Sequence, residues 1–546
     1  DGLGTFSVSL KCEGAASEAL FSKKNNEYEF PINSGTGFKF KIKNIPVFTN
    51  ICDLNNPRIN NHNVSSHHLL LQGVQFKEIP LLFSTNNGNR TATDTHPMRG
   101  LLINKPYETG VNDFLEKSIT LGIISPSQDA LRFYQFLENQ NSKIKKHNDK
   151  DNYIIDYEGF FAIYGVSLSF PTPNDNEWER INEPLIMGIK ETAQQIKQLI
   201  CDSIVKISST TRRKIIVIYI PQRWEPYTSY QLDGESFDLH DYVKAFCAEK
   251  GIMSQLIREK TINDTIQKCQ IHWWLSLSFF VKSFRTPWIL ANTNNTTAFA
   301  GLGYSVENKK DINGHIVLGC SHIYSSNGEG LKYKLAKISN DKIQWRHKKP
   351  HLCYDDAYEF GKSIVNLFYE SMNELPKRVV IHKRTFYTEE EKQGIIDSIS
   401  DNKKIESIDL IEINFENNIK YASSKIHDGK VDIDGFSVSR GTCIQLSSKE
   451  ALLWAHGVIP SVINPNWNFY PGGRYIPKPL RIIKHYGTGS LEQIANEILG
   501  LTKMNWNSLN MYSQLPATIS SSNDIARIGK LIGANSMHEY DYRYFI

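Results

Sequence analysis

Apolar and polar positions change their period more than once along this 546-residue chain. Up to about residue 95, the segments FSVSL, YEFPI, GFKFKIKNI and HLLLQGVQF alternate or run apolar between Asn- and Gly-rich turns, which predicts short strands. LFSTNNGNRTATDTHPMRG then reads as a loop. From about 96 to 268 strands alternate with helices. LRFYQFLENQ and NEPLIMGIKETAQQIKQLICDSIVKI carry helical spacing. RRKIIVIYIP is a β-branched run, suited to a strand buried on both faces of a parallel sheet. FDLHDYVKAF follows as a helix. This order predicts a doubly wound α/β unit whose ligands sit at the carboxyl ends of its strands.

A second α/β unit is predicted from 269 to the end. HWWLSLSFFVKSF reads as a buried helix, and TTAFAGLGYSVE, GHIVLGCSHIYSS and KYKLAKIS as the strands of a sheet. YEFGKSIVNLFYESM is an amphipathic helix before the strand PKRVVIHKRTF; IESIDLIEINF, FSVSRGTCIQLS and EALLWAHGV continue the strands. SLEQIANEILGLTKMNWN and NDIARIGKLIGAN read as helices. Hairpins followed by alternating strands and helices are compatible with an RNase H-like layout. The expected fold is therefore α/β: a β-rich segment over 1–95, a Rossmann-like unit over 96–268 and an RNase H-like unit over 269–546.

Composition adds little. With 40% hydrophobic residues, the chain is long enough for roughly three or four cores. Lys and Arg number 62 against 58 Asp and Glu, and a net charge of +4 neither requires nor excludes a nucleic-acid partner. Eight scattered cysteines with no CxxC pair fit a reducing cytoplasm and argue against a zinc site. No run of about 18 apolar residues suggests a membrane span. The first residue, Asp1, is compatible with a piece of a longer protein.

The candidate chemistry lies in four scattered polar residues. His240 and Lys244 stand four apart and share one helix face; Gln255 follows in MSQLIREKT and Lys282 in LSFFVKSF. Two cations, a ring N–H and a neutral amide suit one compact anion, above all a terminal phosphate. Singly, each has a plainer reading: a wet helix face for His240 and Lys244, a surface amide for Gln255, a snorkelling lysine for Lys282. Thr261, Asn263 and Asp264 are candidate caps for a helix whose N-terminus would favour an anion. Arg258 and Lys260 are either further phosphate contacts or an exposed basic turn. Arg440 and Lys503 are candidates for touching a nucleic-acid backbone, which positions a strand without reading its sequence. Trp273 and Trp274 read as core. Gly487-Thr488-Gly489-Ser490 reads as a loop with an N-cap, and no P-loop, GxSxG or HExxH motif occurs.

Together FDLHDYVKAF…MSQLIREKT, FFVKSFRTPWIL, AFAGLGYS, VVIHKRTF and LGLTKMNWNSLNMYSQLPATI resemble the short prokaryotic Argonautes, built mainly of a MID and a PIWI domain. The resemblance covers about 69–546. It implies a MID domain over 96–268 and a PIWI domain over 269–546; residues 1–95 exceed the usual short Argonaute and read as the end of an APAZ-like or N-terminal lobe or as a lineage-specific β-module. It implies that His240, Lys244, Gln255 and Lys282 hold the 5′ phosphate of a guide, expected to be RNA, paired to a target expected to be DNA. It also implies a structural Mg²⁺ between that phosphate and the carboxylate of Ile546. Where relatives carry two glycines after the lysine, this chain reads SFRT between Lys282 and Pro287-Trp288.

The resemblance further implies that the chain does not cut. An RNase H-like nuclease needs carboxylates converging on two metal ions about 3.5–4 Å apart. Gly303 stands in AFAGLGYS where the first aspartate belongs, and Arg384 stands in His382-Lys383-Arg384-Thr385 where the second does. Glu307, Glu389, Glu390 and Asp524 lie near in sequence and read as surface acids. Relatives of this kind act with an effector that carries an APAZ domain and a TIR, sirtuin-like or nuclease module in antiviral defence. The rival readings are an active guided endonuclease and a structural partner with a vestigial pocket.

Overall fold

The computed structural model describes residues 73–84, 91–108, 118–147, 153–210, 215–232, 234–291, 296–306, 315–321, 332–339, 344–346, 349–417, 419, 421, 424–427, 430–433, 438–464, 466–472, 476–529, 531–532 and 539–545. Of the first 72 residues it describes three short antiparallel strands, Ser22–Lys24, Glu27–Glu29 and Lys41–Ile42. The expected FSVSL strand lies outside the described residues.

The smaller sheet is parallel. Its strands are β1 (Ser118–Pro126), β2 (Ser167–Ser169), β3 (Trp178–Ile181), β4 (Ile215–Ile220) and β5 (Met253–Arg258). The order is β5-β4-β1-β2, with β3 also paired to β1, and every pairing is parallel. β4 is the β-branched run of the sequence, and all six of its residues are buried. Alternate side chains therefore enter cores on opposite faces, where each fully buried Ile gains roughly 1.5–3 kcal/mol of transfer free energy. Val217 and Tyr219 join the core containing α1 (Ala130–Glu138), while Ile216, Ile218 and Ile220 face the core shared by α2 (Ile189–Thr210) and α3 (Leu239–Glu249). The helix α4 (Lys268–Lys282) then crosses to the larger sheet, almost entirely buried.

That sheet uses β6 (Thr297–Val306), β7 (His315–Ser321), β8 (Lys332–Ser339), β9 (Arg378–Lys383), β10 (Ser407–Phe415), β11 (Thr442–Ser447), β12 (Glu450–Leu453), β13 (Leu480–Tyr486) and β14 (Glu539–Asp541). The order is β14-β8-β7-β6-β9-β10-β13-β12-β11, with Gly73–Gln75 on the outer edge of β11. β6, β7 and β8 form an antiparallel meander, and β6, β9 and β10 run parallel. Helices α5 (Tyr354–Met372) and α6 (Glu389–Ser400) pack against each other and join the core formed with β6 and β9. α7 (Leu491–Leu501) meets β11 and β12, and α8 (Ala517–Gly529) lies across β6 and β7.

Two local expectations change. The segment read as a loop over 82–100 contains a strand, Ala92–Asp94, paired to Leu81–Phe83, and the start of a helix, Pro97–Asn104. The missed signal is a cap: Pro97 opens that helix, and the His96 imidazole accepts a hydrogen bond from the Arg99 N–H. Gly100 is required there, because a Cβ would stand 2.1 Å from the Phe83 ring. Secondly, α8 begins at Ala517, ahead of the NDIARIGK pattern, and the hydroxyls of Ser520 and Ser521 in its first turns are satisfied on the Ala517 carbonyl. Among the described residues no helix is long and apolar enough to cross a membrane.

Candidate anion-binding pocket

Three elements meet at the corner where Lys244, Gln255 and Lys282 come together. α3 is capped by Asp238, which has an extended backbone and whose carboxylate Oδ1 accepts the Asp241 N–H at 3.0 Å. One turn later Lys244 points inward, 2% exposed, and its Nζ donates to the Ser254 carbonyl of β5 at 2.8 Å. Gln255, the next residue of β5, accepts at Oε1 from Ser278 Oγ at 2.7 Å and from Lys282 Nζ. Lys282, in the last turn of α4, is 1% exposed and also donates to Ser278 Oγ at 2.8 Å.

The electrostatics of this corner are unfavourable as they stand. Burial pushes the Lys244 ammonium down to about 8 from 10.5. Burial also pushes Lys282 well below its ordinary value, and the neighbouring Lys244 charge adds to the fall. Keeping both lysines charged in this dry site is therefore costly, and a multiply charged anion would offset that cost. Ammonium groups, an amide and a hydroxyl fit an anion. They do not by themselves fit Mg²⁺, which needs oxygen ligands from a carboxylate or phosphate. Ile546, expected to supply that carboxylate, lies outside the described residues.

His240 sits a turn before Lys244 and is more open, its side chain 41% exposed. Its Nδ1 lies 3.1 Å from Asp241 Oδ1, and Asp241 also pairs with Arg527 of α8. Burial pushes the Asp241 carboxyl up, but the bonds from His240 and Arg527 outweigh it and hold the group below its usual range. Potential ligand atoms of Asp238, His240 and Asp241 lie within 4.8 Å of one another. The turn Tyr542–Tyr544 touches α3, α4 and β5, the three elements of the pocket.

The other candidate contacts sit apart from this corner. Arg258 is half-exposed and 3.3 Å from Glu225 Oε2, and Lys260 is exposed on the short helix Glu259–Asn263. That helix contains Thr261 and Asn263, so they are not caps; Asp264 accepts the Gln267 N–H at 2.8 Å ahead of α4. Arg440 and Lys503, proposed for a nucleic-acid backbone, are buried and committed inside the protein. Glu78 receives Arg440 Nε at 3.0 Å and Lys503 Nζ at 2.8 Å. Lys503 also donates to the Ile79 and Thr95 carbonyls, and the Arg440 guanidinium lies 4.1 Å from the Tyr512 ring centre. Nothing in the local sequence of Glu78 marks it as their partner, because the contact spans more than 360 residues.

Gly303 and Arg384 lie near the ends of adjacent parallel strands, where Leu302 pairs with Lys383. Gly303 is pressed against α8: a Cβ there would meet the Ser522 carbonyl oxygen at 2.6 Å. Arg384 lays its guanidinium 5.5 Å from the centre of the Phe415 ring. Beside it Lys383 is fully buried and grips Glu391 through both oxygens, at 2.6 and 2.7 Å. Glu391 also accepts from Tyr304, Leu352 N–H and Thr388 N–H, and lies 3.1 Å from His351 Nδ1. Glu389 and Glu390, read from the sequence as surface acids, are exposed, and the sequence reading did not single out Glu391. The missed signal was the capping box Thr388…Glu391. Glu412, paired across the strands with Lys383, is held by His485 at 2.8 Å and Asn414 at 2.7 Å. Glu307 lies outside the described residues. Trp273 is core, with its indole N–H on the Ile155 carbonyl at 2.9 Å. The Gly487–Ser490 loop holds an internal carboxylate: Gly489 N–H donates to Asp409 at 2.9 Å, and Ser490 caps α7.

Comparison with protein-family profiles and with curated proteins finds no match. Solved structures do match. Clostridium butyricum Argonaute bound to a guide DNA (5′ deoxycytidine) and a 19-mer target DNA aligns at TM-score 0.59 and 17% identity, over 87% of this chain and 55% of that one. A. aeolicus Argonaute aligns at 0.53 and 16%, over 95% and 66%. A structure of Aa-Ago with externally bound siRNA aligns at 0.51 and 18%, over 87% and 56%. This chain therefore spans 55–66% of the length of those neighbours. At such identities the likeness is one of fold: the chain has a mixed α/β, Argonaute-like architecture of the MID–PIWI type.

Proposed function

We propose that this chain holds the 5′-phosphorylated end of a guide strand, pairs the guide with a complementary target, and does not cut. The carrying observation is the pair of buried ammonium groups, Lys244 and Lys282, brought together at Gln255. A terminal phosphate supplies the negative charge this corner lacks, and the half-exposed His240 lies one turn before Lys244 on the same helix. The neighbours' bound guide DNA, target DNA and siRNA are ligands of the same polyanionic class. Base pairing then supplies sequence specificity while the protein holds backbone and end. We assign RNA to the guide and DNA to the target. Mg²⁺ at this corner would rest on phosphate oxygens and a carboxylate such as that of Ile546, and would neutralise phosphate charge.

Gly303 and Arg384 support the non-cutting half of the reading. One has no room for a side chain, and the other would repel a metal ion. The response to target would then come from a partner, for which an APAZ-containing effector of TIR, sirtuin-like or nuclease type in antiviral defence is our assignment.

The test titrates the full chain with one oligonucleotide bearing either a 5′ phosphate or a 5′ hydroxyl. The phosphate should bind at least tenfold tighter, and Lys244→Ala with Lys282→Ala should erase the preference. Equal affinity for the two ends would overturn the reading. Mg²⁺- or Mn²⁺-dependent scission of a guide-complementary strand would overturn the non-cutting half alone. Sequencing co-purified nucleic acid decides RNA against DNA.

A further inference from the structure

Phe284 has a backbone that its side chain disfavours. Its φ is 64°, in the left-handed region, at the position just past the α4 helix cap. Its N–H closes the helix end on the Val281 carbonyl at 3.0 Å. Glycine is the usual residue at such a position because a Cβ costs energy there, and for a bulky residue the conformation is an outlier. The ring does not offset that cost by entering the core, since Phe284 is 40% exposed.

The ring's partners belong to the C-terminal turn. Tyr544 meets it edge-on, with centroids 6.2 Å apart and planes at 77°. The Arg543 guanidinium stands 5.6 Å from its centre and 5.9 Å from that of Trp506. Arg543 is itself buried and anchored to Asp541 at 3.0 Å. This turn touches the same α3, α4 and β5 that carry Lys244, Lys282 and Gln255, and Phe284 lies two residues beyond Lys282.

We propose that Phe284 is a positioning residue, a clamp that holds the Arg543–Tyr544 turn against the anion pocket. Backbone strain persists where the surroundings fix it. Here the edge-on ring pair and the cation over the ring hold Phe284 in place. The clamp makes the wall of the pocket depend on the chain's last described turn. Its consequence for nucleic acid rests on the 5′-phosphate reading above; the clamp itself does not.

The test compares Phe284→Gly and Phe284→Tyr in the full chain. Glycine relaxes the cap, so F284G should keep or raise the unfolding temperature. Amide exchange of Tyr542–Phe545 should nevertheless rise tenfold or more, and affinity for a 5′-phosphorylated oligonucleotide should fall at least fivefold. F284Y, which keeps the ring, should match the parent in both. Unchanged exchange at Tyr542–Phe545 in F284G would overturn the clamp. Raised exchange with unchanged affinity would overturn its role at the pocket. A parent chain with no preference for the 5′ phosphate removes the guide reading, and the exchange result still decides the clamp.

Discussion

Gly303 lies against the backbone of Ser522, so close that a Cβ at residue 303 would stand 2.6 Å from the Ser522 carbonyl oxygen. The neighbour is main chain of α8, which cannot swing aside as a flexible side chain would. A carboxylate therefore cannot be restored here by substitution alone. Gly303→Asp should lower stability by about 1–3 kcal/mol, the usual cost of overpacking. Even combined with Arg384→Asp it should give no Mg²⁺-dependent cleavage of a labelled target. Thermal unfolding and a cleavage gel read the two halves, and cleavage by the double variant would show that α8 can yield.

Lys383 and Glu391 make a different use of the neighbouring strand end. Burial pushes the Glu391 carboxyl up, but bonds from His351, Lys383 and Leu352 N–H outweigh it and hold it at about 2, against an ordinary 4.5. A depressed acid contributes stability that is fully present above its ordinary value and is lost as pH falls through its folded value. Denaturant midpoints should therefore drop between pH 4.5 and 2, and Glu391→Gln should flatten that drop. Removing one partner strands a buried charge, so Lys383→Met alone should cost about 3–5 kcal/mol, while Lys383→Met with Glu391→Leu should recover much of it. A double variant no more stable than the single one would refute this.

How far the sequence carries depends on the range of the interaction. β4 was legible because six consecutive apolar residues in a β-branched run leave little choice but a two-sided strand. Of Lys244, Gln255 and Lys282, only Lys282 stood out as a polar residue in an apolar helix; a resemblance of order and spacing joined the other two to it. Glu391 was not, since Glu389, Glu390 and Glu391 look alike and only the cap at Thr388 turns the third inward. Arg440 and Lys503 looked like free cations because their partner lies hundreds of residues away, on the segment after Gly73–Gln75.

Glu78 joins that segment to the larger sheet. Burial pushes its carboxyl up, but Arg440 and Lys503 outweigh it and keep it below its usual range. Glu78→Gln should therefore destabilise the chain by about 3–5 kcal/mol by leaving two buried cations short of a counter-charge. Preference for a 5′ phosphate, measured on the folded fraction, should not change. Loss of the preference at unchanged stability would instead return Arg440 and Lys503 to the nucleic-acid interface.

Lys244 gives the pocket a pH dependence that runs opposite to the stability of the empty protein. In the free chain its ammonium loses its proton near pH 8, whereas an unfolded lysine keeps it to about 10.5. A base whose folded pKa is lowered penalises folding below the folded value, and the penalty fades as pH rises to the ordinary one. The empty protein should thus gain stability from pH 8 towards 10.5 through this group. The anion needs the charged form, so binding must return the proton, and affinity should fall above pH 8 by up to tenfold per unit. A terminal phosphate gains its second charge near pH 6, which sets the lower limb. Affinity for a 5′-phosphorylated oligonucleotide should therefore peak between about pH 6 and 8, with proton uptake visible by calorimetry in buffers of different ionisation heat. Lys244→Arg keeps its charge at all these values and should flatten the upper limb, provided the unfolding curve shows it folded. An upper limb that stays steep in Lys244→Arg would assign the proton to another group, with Lys282 the first to examine.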